Sequence, residues 1–165
     1  MDLKTAHREI VGPGLAFLPA KFDTREARLM MLAIGWQESG FANRVQLPRN
    51  AGGPPGPARG FWQFERGGGV TGVLEHAASR DLARAACKTF GIVAEPRPAW
   101  SALAISDSLA CVFARLLLYT DPHPLPEIGD EEGAWQYYLR NWRPGAPHRD
   151  RWSRGYPMAV AALGG

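Results

Sequence analysis

The sequence predicts a mainly α fold in one domain, and three observations carry that reading. Apolar residues recur at helical spacing, and the most apolar run, Leu109 to Tyr119, reads as a central helix. Helix punctuation recurs around such runs, with Ser, Thr or Asp ahead of them and Gly or Pro behind. The 165 residues contain no internal repeat and no composition break, so residues 1–165 form a single domain. A hydrophobic content of 45% argues against disorder, and the length suffices for a buried core.

Taken in order, residues 3–10 predict a short helix ended by Gly12-Pro13-Gly14, and 16–22 an apolar approach. Asp23 or Thr24 is placed to cap the next helix, with Glu26 completing a capping box with Asp23. That helix runs to Ser39, and Gly40 is its natural stop. Residues 40–60 contain Gly52-Gly53-Pro54-Pro55-Gly56-Pro57, which no regular element tolerates. A loop of this length in a compact domain is usually functional. Phe61–Phe64 reads as a very short extended piece, and Arg66-Gly67-Gly68-Gly69 as a flexible break. A short helix over 70–78 follows, then one over 80–90 capped by Ser79 and stopped at Gly91. A brief helix over 99–104 precedes the apolar one, which Asp107 starts. Pro122, Pro124 and Pro126 mark an exposed loop. Asp130 caps a helix from Glu131 to about Asn141, and a last helix over 148–162 contains Pro157, where a kink is expected.

The chemistry centres on Glu38. Ala27, Met31, Ile34 and Glu38 fall on one helical stripe, so Glu38 continues the buried face. A carboxylate desolvated among apolar side chains has a raised pKa and can hold a proton near neutrality. Cleavage of a glycosidic bond needs such an acid, because the leaving oxygen must be protonated as the bond breaks. The bland alternative is a solvated carboxylate at the unfavourable negative end of a helix dipole. Glu65 is the candidate second carboxylate, with a solvated partner of Arg66 or Arg59 as its competing reading. Asp107 is read as a helix cap.

Gln37-Glu38-Ser39-Gly40-Phe41-Ala42-Asn43, followed by Gly60-Phe61-Trp62-Gln63-Phe64, resembles the signature of the lysozyme-like superfamily. Soluble lytic transglycosylases and goose-type lysozymes are its most similar members. Phe61 and Trp62 stand where that pattern has Leu and Met. The stretch from Trp135 to His148 resembles the C-terminal part of phage and prophage wall-lytic proteins, and loosely the later Tyr-bearing segment of transglycosylases.

The resemblance implies a mainly α, lysozyme-like domain with a long Gly/Pro-rich cleft loop. It implies cleavage of the β-1,4 bond between N-acetylmuramic acid and N-acetylglucosamine in peptidoglycan, with Glu38 as general acid and then base. It further implies that Ser39 and Gln63 shape the cleft, that Phe61 and Trp62 wall it, and that Tyr138 or Tyr137, with Asn141 nearby, contacts the acid or the sugar. Core packing is the competing reading of both tyrosines. Either water or the muramic acid's own 6-hydroxyl could complete the reaction. The lack of a clear Asp soon after Glu38 leans toward the second, single-acid scheme. Two rival functions come with the same fold: a non-catalytic peptidoglycan-binding or structural component of a phage particle, and a chitinase-like hydrolase.

Other signals point away from other chemistries. Gly67-Gly68-Gly69-Val70-Thr71-Gly72 satisfies G-x-G-x-x-G, but no strand precedes it and no acidic residue sits about twenty positions on. The histidines, His7, His76, His123 and His148, lack metal-ligand spacing, so no metal and no cofactor are expected. Cys87 and Cys111 read as buried free thiols. The net charge of +3 suits an anionic partner such as a cell wall and is modest for a nucleic-acid binder, so nucleic acid is not expected as partner. Arg140, Arg143, Arg149, Arg151 and Arg154 form a basic zone read as solvated surface. The polar start, Met1–Glu9, leads us to expect synthesis in the cytosol without a Sec signal, and action on the wall after lysis or as part of a virion. No membrane span is expected, since Leu109–Tyr119 is too short and contains Arg115.

Overall fold

At the centre of the computed structural model lies the apolar helix α7, Asp107–Tyr119, in which nine of thirteen residues are buried. The structure describes residues 1–48 and 50–164. Ser106, not Asp107, caps this helix, accepting a bond from the Leu109 amide. Asp107 instead takes two hydrogen bonds at 2.7 Å from Arg44 and ties the irregular 40–64 region to the helix. Arg115 is buried in the middle of the core, where its Nε donates to the Phe22 carbonyl.

The chain starts with α1, Leu3–Ala6, capped by the Asp2 carboxylate. Contrary to expectation, Gly12-Pro13-Gly14 does not end the helical run. A wide π turn over His7–Val11 leads straight into α2, Gly12–Leu15. Pro13 sits in the first turn of α2, where its missing N–H costs little. Gly14 lets α2 press on α7: a Cβ there would lie 2.5 Å from that of Cys111.

Helix α3, Arg25–Ser39, follows the sequence reading at both ends. Thr24 is its cap and Gly40, with φ of 63°, its left-handed stop. The capping box with Asp23 does not form, because both Asp23 oxygens accept from Arg28 at 2.6 and 2.7 Å.

Two antiparallel bridges, Val45 with Arg59 and Arg59 with Phe64, are the only strand-like pairings among the described residues. Gly60–Phe64 is therefore a tight turn rather than an extended piece. Gly60 has φ of 71°, and an added Cβ would come 3.0 Å from Ala110 of α7.

The Arg66–Val70 stretch is a π-helical turn rather than a break and runs into α4, Thr71–Glu75. Gly69 is needed there because a Cβ would sit 2.6 Å from the Phe64 ring. Helix α5 spans Arg80–Thr89. Its expected cap, Ser79, is buried and donates to the Val73 carbonyl instead. Helix α6, Pro96–Ala102, starts three residues before the expected one, using Pro96 as its first residue. Helix α8, Glu131–Trp142, is capped by Asp130 as expected, and α9 spans Arg149–Leu163 with Pro157 inside it.

Helices α3 and α9 form the most extensive helix pair. Gly155 makes this possible, since a Cβ there would overlap the Trp36 indole. The result is a single, mainly helical domain. Cys87 and Cys111 are buried free thiols. Among the described residues, no helix is long and apolar enough to cross a membrane.

Candidate functional site

An open groove of about 890 Å³ runs past the C-terminal end of α3. Its walls are the 43–65 region, the glycines of 68–72, the last turn of α8 and the 143–148 connection. Glu38 lines it from α3 and Tyr138 from α8. The Tyr138 hydroxyl donates to Glu38 Oε1 at 2.7 Å across a hundred residues of sequence.

Several groups hold this pair. The Tyr138 ring is buried and stacks on Trp152 of α9, with centroids 5.2 Å apart and planes 19° from parallel. Arg151, one turn into α9, donates from Nε and Nη2 to the Trp36 carbonyl at 3.1 and 2.7 Å. It thereby adds to the bond that this carbonyl already accepts from the Gly40 amide, and brings a cation beside Glu38. Gln37 donates to the His148 carbonyl and clamps the start of α9 to the same turn. Ser39 donates to the Gly35 carbonyl and accepts from the Phe41 amide, which steers the chain away from Glu38 into the left-handed Phe41.

Burial pushes the Glu38 carboxyl up to about 7, against the opposing pulls of the Tyr138 hydrogen bond and the Arg151 charge. Near neutrality this carboxyl can therefore give a proton and take one back. Burial and the neighbouring Glu38 push the Tyr138 phenol well above its ordinary value, so it stays a neutral donor.

The other expected site residues divide. Gln63, Asn141 and the exposed Glu65 line the groove with Glu38 and Ser39. Gln63 has φ of 50° and donates to the Gly60 and Asn43 carbonyls, holding the turn to the wall opposite α3. Glu65 is the only acid besides Glu38 among the described lining residues.

Phe61 and Trp62 do not wall the groove. They are 1% and 0% exposed, and the Trp62 indole donates to the Met31 carbonyl inside the core. The reason is the turn itself: it sends the Trp62 indole onto α3 and the Phe61 ring against Phe41, with centroids 5.4 Å apart, and leaves Gln63 and Phe64 at the groove. Tyr137 is also a core residue, and its hydroxyl donates to the Leu118 carbonyl on the far side of α8. Adjacent residues on a helix point about 100° apart, so Tyr137 and Tyr138 cannot both face Glu38.

Arg151 and Gln37 were not singled out as site residues by the sequence. Arg151 is part of the basic zone read as solvated, and the zone divides in the structure. Arg151 caps α3, Arg149 pairs with Glu131 and Glu132, and Arg140 pairs with Asp121. Arg49 lies outside the described residues. Among the described residues, no cluster of three His, Cys, Asp or Glu side chains is placed to hold a metal ion. Compared with known proteins, the chain matches no family model, no characterised relative and no solved structure.

Proposed function

We propose that this protein cleaves the β-1,4 bond between N-acetylmuramic acid and N-acetylglucosamine in bacterial peptidoglycan, with Glu38 as general acid and then general base. The observation that carries the reading is the half-buried Glu38, bonded to the buried Tyr138 on an open groove, with its carboxyl titrating near 7. The resemblance of 37–43 and 60–64 to the lysozyme-like superfamily supplies the substrate class, and the groove volume is within the range of ligand sites.

In the proposed reaction, protonated Glu38 gives its proton to the glycosidic oxygen as the bond to the muramoyl anomeric carbon breaks. The positive charge developing on that sugar is offset by the carboxylate left behind, which Tyr138 and Arg151 stabilise. Glu38 then removes the proton from the muramoyl 6-hydroxyl as its oxygen bonds to the anomeric carbon, giving a 1,6-anhydro end. Proton and bonds balance, and Glu38 ends protonated. Glu65 is exposed, which supports the single-acid route over one needing a second, fixed carboxylate. A hydrolase would use water at the same step.

A phage or prophage origin, with action on the wall after lysis or within a virion, accompanies this reading. Glu38→Gln keeps the hydrogen bond from Tyr138 but has no proton to give. It should fold and lose wall clearing by at least about a hundredfold. Clearing at the wild-type rate would sink the mechanism. Mass spectrometry of released fragments separates the two routes, since an anhydro end is lighter by one water.

A further inference from the structure

Asp121 stands in the loop that the sequence marks as exposed and proline-rich, yet its side chain is only 3% exposed. Four donors converge on it. Oδ1 accepts from the backbone and the ring of His123, at 3.0 and 2.8 Å. Oδ2 accepts from Arg140 Nε at 2.7 Å and from Asn141 Nδ2 at 2.8 Å. Burial opposes this charge, but the hydrogen bonds from His123, Arg140 and Asn141 outweigh it and hold the carboxyl well below the usual range.

The two α8 residues it grips both line the groove. Arg140 is fixed on two sides, by Asp121 at Nε and by the Tyr137 ring 4.9 Å below its guanidinium. No protein group among the described residues takes a hydrogen bond from its two terminal nitrogens. Asn141 uses its amide nitrogen on Asp121 and on the Tyr137 carbonyl at 2.9 Å, which orients its amide oxygen as a spare acceptor. A guanidinium held in this way keeps its fork for a planar two-oxygen group at little further entropic cost.

Resting on the proposed function, we infer that Arg140 and Asn141 form a recognition element for a carboxylate-bearing substituent on the polymer in the groove, and that Asp121 is its positioning residue. The Arg140 fork takes the carboxylate, and the Asn141 oxygen takes an amide N–H beside it. Asp121 never touches the substrate. It takes only the arginine's Nε, so the two terminal nitrogens keep their donors for the substrate.

The test compares intact cell walls with walls whose carboxylates have been converted to amides by carbodiimide and ammonia. Wild type should show a KM about tenfold higher on amidated walls, with kcat within twofold. Arg140→Gln should show that higher KM on both wall types, and so should Asp121→Asn. The double variant should be no worse than Arg140→Gln alone. A purely structural role for Asp121 would lower stability without changing the ratio between the two walls.

If Asp121→Asn does not fold, Arg140→Gln alone decides. A wild type that cuts both walls with the same KM, or an Arg140→Gln variant that still discriminates, overturns the inference and leaves the proposed function standing. Sedimentation with walls of the Glu38→Gln variant provides the same comparison without turnover. A wild type that neither cuts nor binds intact walls overturns both.

Discussion

Replacing Glu38 by Gln should stabilise the protein in a pH-dependent way, whatever it does to activity. Glu38 titrates at about 7 in the folded state against an ordinary 4.5. Below pH 4.5 the carboxyl is protonated whether the chain is folded or not, and its ionisation contributes nothing. Between 4.5 and 7 the unfolded chain gives up its proton first, so stability falls as pH rises. Above 7 the loss is complete, about 2.5 pH units at 1.36 kcal/mol each, or roughly 3 kcal/mol. Gln carries no charge and escapes this loss while still accepting from Tyr138. Urea unfolding followed by tryptophan fluorescence should show the variant drawing ahead of wild type by roughly 3 kcal/mol between pH 4.5 and 8, at unchanged m. The same gap corresponds to roughly 6–12 °C in Tm. Other titrating groups are common to both proteins and cancel in the difference. A gap that stays constant from pH 4.5 to 8 would mean that Glu38 titrates like a surface carboxylate, and the argument for a buried acid would be refuted.

Three further outcomes follow from the packing. Tyr138→Phe removes the hydrogen bond that favours ionised Glu38, so the alkaline limb of the wall-clearing profile should move to higher pH while the maximum rate falls; an unmoved limb would detach Tyr138 from the acid. Trp62→Ala empties a core site and removes the indole's hydrogen bond to the Met31 carbonyl, costing about 3–5 kcal/mol in urea unfolding, whereas a groove-wall residue would cost well under half of that. Gly35→Ala drives a methyl into the Phe41 ring and should cost about 1–3 kcal/mol, measurable by thermal unfolding; a neutral substitution would show that the ring moves freely.

What could be read along the chain is what local rules govern. The stripe Ala27–Met31–Ile34–Glu38, a cap at Asp23 or Thr24 and the Gly40 stop located α3 and gave Glu38 its half-buried position, and the structure chose Thr24 as the cap. Asp130 located the start of α8 and the apolar run located α7, although Ser106 rather than Asp107 caps the latter. The misreadings came where another partner outbids the one that the capping rule names. Asp23 leaves the capping box for the guanidinium of Arg28, and Ser79 leaves its cap for a buried carbonyl. Gly12-Pro13-Gly14 stays helical because α2 packs on Cys111, which no local propensity records. Phe61 and Trp62 are two large aromatics beside a glycine turn, a pattern that serves a sugar platform and a core plug equally well; only the position of α3 and α7 decides for the plug.

The sequence by itself determined the helical class, the ends of the helix that carries Glu38 and the apolar stripe that half-buries it, because caps, stops and periodicity act within a few residues. Only the tertiary structure decided which tyrosine meets Glu38, that Arg151 comes to rest beside it, and that Asp121 lies beneath Arg140. Those pairings join residues 100, 113 and 19 positions apart. Their geometry depends on how α3, α8 and α9 dock, and docking is set by space: Gly155 yields to Trp36, and Trp152 offers its face to Tyr138.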